Sequence, residues 1–182
     1  MAFQSTIRQF QAHGVVGEVI YSGPVRARGV IINTTTAANN VIGRALTYSS
    51  TNTNTDGVRV EAGGTGKFAG ILTHSKQYAS LGTAANGALA PTMIVPNNSV
   101  VEATYFATGI LVELFTVTTG KSIQIGDKVY YKTATGELGA GTSAPPEGSG
   151  WTEIVGAKVI DQNVTGPTSS PFTVLAIIEL NS

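Results

Sequence analysis

Glycine and proline punctuate this chain so densely that no long helix fits in it. Twenty-two glycines and seven prolines are spread through 182 residues, and no stretch between two of them exceeds thirteen residues. Inside a helix, glycine costs about 1 kcal/mol and proline about 3 relative to alanine. Short strands rich in Val, Ile, Thr, Tyr and Phe fit between such breaks. The pattern predicts strands over residues 15–21, 25–33, 41–48, 58–62, 68–73, 92–95, 100–108, 110–117, 128–133, 153–161 and 172–180. The expected fold is all-β: a single β-barrel or β-sandwich of about ten short strands over residues 15–182. A short N-terminal arm, residues 1–14, precedes it, and at most one short helix is expected.

Residue order within the strands says which faces are wet. In Val58-Arg59-Val60-Glu61 the valines share one face and the charges the other. Ile110-Leu111-Val112-Glu113-Leu114-Phe115 is apolar on nearly both faces and reads as a central strand, or as one whose outer face meets a partner. Leu175-Ala176-Ile177-Ile178 has the same character. The Gly/Pro/Ser stretch 139–150 reads as a surface loop. A faint internal duplication is also visible. Ile42-Gly43 opens a segment through Leu46-Thr47-Tyr48 to Phe68-Ala69-Gly70-Ile71. Ile125-Gly126 opens another through Val129-Tyr130-Tyr131 to Ile154-Val155-Gly156-Ala157. A true repeat would favour one compact barrel over two independent domains.

Eleven Lys and Arg balance eleven Asp and Glu, so the formal net charge is zero. That argues against nucleic acid as a partner, because phosphate binding needs a surplus of cations. Charged residues form 12% of the chain, about half the usual share. Thr, Ser, Asn and Gly take their place, which suits a surface packed against something. Without cysteine there is no disulfide, thiolate metal site or Cys nucleophile. No run approaches the roughly 18 apolar residues of a membrane span, so no membrane contact is expected. The start of the chain lacks the pattern of a signal peptide, and the protein is expected to stay where it is made until it assembles.

Several chemical motifs come close and fail. Gly63-Gly64-Thr65-Gly66-Lys67 resembles a phosphate loop, but Glu61 stands where the first Gly belongs and Phe68 where Ser or Thr is needed. A Gly-rich turn is the better reading. Asn52-x-Asn54-x-Asp56-Gly57 resembles the opening of a calcium loop, yet its twelfth place holds Gly63 instead of Glu. His13 and His74 have no acidic pair near them in sequence, and no Gly-x-Ser-x-Gly elbow is present. Trp151 is the only Trp, too few for a stacking platform. No catalytic, cofactor or metal residues are expected, and the chain does not read as an enzyme.

The first fourteen residues differ from the rest. Phe3, Ile7 and Phe10 are spaced four and three apart, which aligns them on one face of a helix, and Gly14 is a plausible stop. The segment could fold back on its own barrel or dock on another subunit. Three large apolar side chains make a costly exposed patch on a monomer. Contact with another chain is therefore expected through Phe3, Ile7 and Phe10, with Arg8 at the rim.

The run Gly14-Val15-Val16-Gly17-Glu18, followed by Ser22-Gly23-Pro24-Val25-Arg26-Ala27, resembles the structural cement and head-decoration proteins of tailed bacteriophages. So does Gly66-Lys67-Phe68-Ala69-Gly70-Ile71-Leu72 running into Ser75-Lys76-Gln77-Tyr78-Ala79. Ile125-Gly126-Asp127-Lys128-Val129-Tyr130-Tyr131, with Gly136-Glu137-Leu138, is similar to the second half of that family. The resemblance implies a small β-rich virion protein, made in the bacterial cytoplasm, on the outer surface of an icosahedral head. It would clamp neighbouring copies of the major capsid protein and work as a homo-oligomer, a dimer or trimer. It brings no catalytic residues. A glycan-binding β-sandwich of a tail fibre or secreted protein shares the strand pattern and Asn/Thr-rich loops, and stands as the alternative.

Overall fold

Among the described residues, nine strands form a single sheet that closes on itself twice. The computed structural model describes residues 15–50, 57–73, 94–117, 122–145, 149–163 and 173–181. The strands are β1 (Arg26–Ile32), β2 (Ala45–Tyr48), β3 (Arg59–Ala62), β4 (Phe68–Leu72), β5 (Val100–Thr116), β6 (Lys128–Lys132), β7 (Leu138–Gly141), β8 (Trp151–Asn163) and β9 (Thr173–Asn181). The helical content among the described residues is one 3-10 turn, Ala37–Asn39. The all-β architecture expected from the Gly/Pro spacing is the one observed.

The sheet order is β1-β3-β2-β4-β5-β7-β6-β8-β9, with β5 also pairing β1 and β9. Those two extra pairings close two five-stranded rings that share β5. In the first ring, β1 runs parallel to β3 and every other pairing is antiparallel. In the second, β5 runs parallel to β7 and every other pairing is antiparallel. The connectivity is the same in both. Strands β1 to β4 and the first half of β5 correspond to the second half of β5 and β6 to β9.

The repeat glimpsed in the sequence is therefore structural. Gly43 N–H donates to Leu72 O at 2.7 Å, and Leu72 N–H returns a bond to Arg44 O at 2.9 Å. In the second ring, Gly126 N–H donates to Val159 O at 2.7 Å and Val159 N–H to Asp127 O at 3.0 Å. Gly43 and Gly126 have φ of 90° and 92°, a conformation that an L side chain adopts only with strain. Each ring has its own core. Val30, Ile32, Leu46, Val60, Leu72 and Val101 lie in the first, and Val112, Leu114, Val129, Ile154, Ile178 and Leu180 in the second. The rings are neither independent nor merged, because one strand belongs to both.

That strand departs from the sequence expectation, which broke it at Gly109 into two. The strand runs through because Gly109 serves a crossing. Residues 17–20 pair with β5 on one edge, with Ile20 N–H donating to Gly109 O at 3.0 Å and Leu111 N–H to Glu18 O at 2.9 Å. The chain then crosses the face of β5 and becomes β1 on its other edge. A Cβ on Gly109 would lie 2.6 Å from Tyr21 Cδ2, so only glycine lets the Tyr21 ring pass. The expected strand at 15–21 is thus a strap, with one isolated bridge, Val19 to Ile110. The expected strand at 92–95 likewise reduces, among the described residues, to a bridge between Ile94 and Val41.

The 139–150 stretch is a partial correction. Its first residues belong to β7, which is wholly buried. Gly139 reads as a loop residue, but its missing side chain is needed for packing: a Cβ there would lie 2.5 Å from Val117 Cγ1 and 2.8 Å from Trp151 Cζ3.

Candidate functional site

The rings meet where the turn after β6 docks on the first ring. Ala45 N–H donates to Gly136 O at 2.8 Å and Gly64 N–H to Thr133 O at 2.6 Å. Arg44 fastens the same turn, donating from Nη1 to Thr135 O at 3.1 Å and pairing through Nη2 with Glu137 Oε1 at 3.4 Å. Gly63 N–H donates to Ala45 O at 3.0 Å, and the Thr47 hydroxyl donates to Gly63 O. The amides of Gly63 and Gly64, which a phosphate loop would aim at its ligand, are spent on the protein's own backbone. The Gly-rich turn is structural.

No cluster of three or more metal-ligating side chains occurs among the described residues. Asp127, buried, accepts from Gln124 N–H at 2.8 Å and so closes the turn that enters β6. Tyr130 and Tyr131 are both buried, and burial raises both phenol pKa values. The Trp151 ring lies close over Gly139 instead of standing clear as a platform. Asn52, Asn54 and Asp56, His13 and His74 lie outside the described residues, as do Phe3, Ile7, Arg8 and Phe10 of the arm.

What the described residues present is surface. On the second ring, Lys128 and Lys158 stand opposite each other across β6 and β8, and each takes a glutamate. Lys128 Nζ lies 2.8 Å from Glu153 Oε1, and Lys158 Nζ lies 3.3 Å from Glu179 Oε2. The Glu153 contact raises the Lys128 pKa. The bond that Glu179 accepts from Asn181, and secondarily Lys158, lower the Glu179 pKa against the opposing effect of its burial. Val155 and Ile125 are exposed there at 77% and 65%, as is Val100 of the first ring at 68%. On the first ring, residues 21–29 are all exposed, including the first four residues of β1. Sequence reasoning missed this edge; its signal was Arg26-Ala27-Arg28-Gly29, a strand start without an apolar residue larger than Ala.

The family model described as "Structural cement protein (E217 gp24/Pam3 gp6)" matches residues 3–181. The chain belongs to that structural cement protein family. Among solved structures, a chain from "The capsid of Myoviridae Phage XM1" is similar, with a TM-score of 0.57 and 15% identity, covering 100% of this chain and 99% of that one. At that identity the likeness establishes the shared fold. No curated protein sequence matches the chain. This cement protein thus has a structural role at a phage capsid.

Proposed function

We propose that the protein binds the outer surface of an icosahedral phage head and clamps neighbouring major capsid subunits. The family match over nearly the whole chain carries this reading. The molecule suits the task physically. Two rings sharing a strand and fastened by Arg44 and its turn form a stiff body, and stiffness keeps the ordering cost of docking low. Few exposed charges have to be desolvated when its surface is covered. Membership of a structural family supports reading the protein as a structural component and not as an enzyme. Synthesis in the host cytoplasm, followed by assembly as a homo-oligomer, completes the proposal.

The N-terminal arm is proposed as the element that reaches another chain, through Phe3, Ile7 and Phe10 with Arg8 at the rim. Val15, where the described chain begins, is exposed, and its N–H donates to Glu18 Oε2 at 3.1 Å at the root of the strap. Burying each large apolar side chain contributes about 1.5–3 kcal/mol. Cryo-electron microscopy of virions tests the whole reading. The expected result is density for this double ring on the head exterior, with heads lacking the chain rupturing at lower temperature. Density in the tail, or heads equally robust without it, would overturn the reading. A chain starting at Gly14 should bind heads at least tenfold more weakly with an unchanged Tm. Undiminished binding with a lowered Tm would return the arm to its own barrel.

A further inference from the structure

The two rings treat the same strand edge differently, and the difference points to a partner. The strand edge at Gly109 and Leu111 in the second ring corresponds to Ala27 and Gly29 in the first, since Leu114 pairs Leu138 as Ile32 pairs Val60. In the second ring the strap covers this edge with three backbone bonds. Gly17 N–H donates to Leu111 O at 2.7 Å, Leu111 N–H to Glu18 O, and Ile20 N–H to Gly109 O. In the first ring no described segment covers the edge. Strand β3 reaches β1 only at Ile31 and Ile32. Ile31 N–H donates to Val58 O at 2.9 Å, so by the two-residue period the N–H and C=O groups of Ala27 and Gly29 point to that same edge. Both residues are exposed, and a Cβ built on Gly29 meets nothing within 4 Å.

An uncovered edge is a template for an incoming strand. Its charge indicates which one. The Arg26 guanidinium lies 5.5 Å from the Phe106 ring centroid, and the Arg28 guanidinium 5.8 Å from that of Tyr105. Arg28 also donates to the Tyr48 hydroxyl at 3.0 Å. Neither forms an ion pair with a described carboxylate. These contacts hold Arg26 over a ring of β5, and Arg28 between a ring of β5 and Tyr48 of β2. A second copy pairing edge to edge about its two-fold axis would set Arg28 opposite Arg28, which is unfavourable. The arm of another copy, with Arg8 and no acidic residue, adds like charge too.

We infer that the free edge of β1, centred on Ala27 and Gly29, pairs with an extended acidic segment of the head subunit it docks on. The inference rests on the cement reading and names the chemistry of the contact. The segment does for the first ring what residues 17–20 do for the second, with carboxylates meeting Arg26 and Arg28.

The test measures binding to heads that lack this protein. Gly29→Pro removes one edge-facing N–H and no bond to β5, and proline is tolerated on such an edge. It should weaken binding about tenfold, the effect of one or two lost backbone bonds. Gly29→Val keeps the N–H, fits the open space and should bind within about twofold of wild type. Arg26→Glu should weaken binding about fivefold, and wild-type binding should fall as salt rises. If Gly29→Pro also lowers the Tm, hydrogen exchange on the wild-type chain decides instead: the Ala27 and Gly29 amides should be protected only on heads. Wild-type binding by a stably folded Gly29→Pro chain, exchange unchanged on heads, or tighter binding by Arg26→Glu would overturn the inference and leave the cement reading intact. Loss of self-association without loss of head binding would assign the edge to a second copy. Heads that do not bind the wild-type chain would overturn both.

Discussion

The first ring and the second share one connectivity, but their surfaces are finished differently. At the turn entering β2, Ile42 is buried and Val16 of the strap packs against Gly43. At the matching turn before β6, Ile125 is 65% exposed and nothing lies within 4 Å of a Cβ on Gly126. The residue that follows differs as well. Arg44 reaches outward to the β6–β7 turn, whereas Asp127 folds back to close its own turn. The strap explains both asymmetries of cover, since it protects the turn of the first ring and the strand edge of the second. One segment cannot cover both members of each pair. A repeat inside one chain thus reveals, by its covered copy, what its bare copy lacks.

The largest effect is expected where the two rings touch. Gly136 has φ of 74°, and a Cβ on it would lie 2.7 Å from Ala45 O and 2.7 Å from Gly63 N, both backbone atoms. Neither atom can move without breaking the bonds that join the rings. Gly136→Ala should therefore cost on the order of 4 kcal/mol, adding left-handed strain to overpacking. Urea unfolding should show one transition shifted as a whole, because β5 belongs to both cores. Two separated transitions would mean that the rings fold independently despite their common strand.

A smaller effect isolates the strap. Gly43→Ala and Gly126→Ala impose the same backbone strain of about 1–2 kcal/mol, since their φ values differ by only two degrees. Only at Gly43 does the new methyl meet a neighbour, Val16 Cγ1 at 2.4 Å. Gly43→Ala should cost about 3 kcal/mol in total and Gly126→Ala about 1. Adding Val16→Ala should relieve the first and leave the second alone, with a coupling of about 1 kcal/mol in a double-mutant cycle. Equal costs at the two glycines would show that the strap exerts no pressure on the first-ring turn.

The strands were legible where one residue face was apolar. Lys128–Lys132 and Arg59–Ala62 lie within a residue or so of the expected bounds. Strand β7 was hidden because Leu-Gly-Ala-Gly carries the composition of a loop, and its glycines are required by neighbours distant in sequence. The union of two expected strands into β5 was hidden for the same reason, since Gly109 accommodates Tyr21 instead of ending a strand. The repeat was visible through Ile42-Gly43 and Ile125-Gly126, whose positive φ only glycine adopts easily. The β1 edge that no described strand covers was illegible because edge exposure depends on which strand fails to reach it. Sequence alone gives no register for β3.

The smallest effect concerns charge on the second ring. Lys158 pairs Glu179 across β8 and β9 and faces Lys128 across β6 and β8. The Glu179 carboxylate is held below its ordinary pKa, chiefly by the bond from Asn181 Nδ2 at 2.8 Å and less by Lys158. A depressed carboxylate pKa contributes stability that is complete above the unfolded value and is lost as pH falls through the folded one. The Lys128 pKa is raised by Glu153, so what the lysine charge contributes is lost only as pH rises through that raised value, at the opposite end of the scale from the Glu179 titration. Lys158 is 54% exposed, so solvent screens the Glu179 pair, and Glu179→Gln should cost no more than about 0.5 kcal/mol at neutral pH. The difference between wild type and Glu179→Gln should vanish in acid, below the range where Glu179 titrates, and shrink in high salt. Thermal melts of both chains from acid to neutral pH check this. A difference that persists in acid would mean that Glu179 acts through packing and that charge on this face is incidental to the stability of the ring.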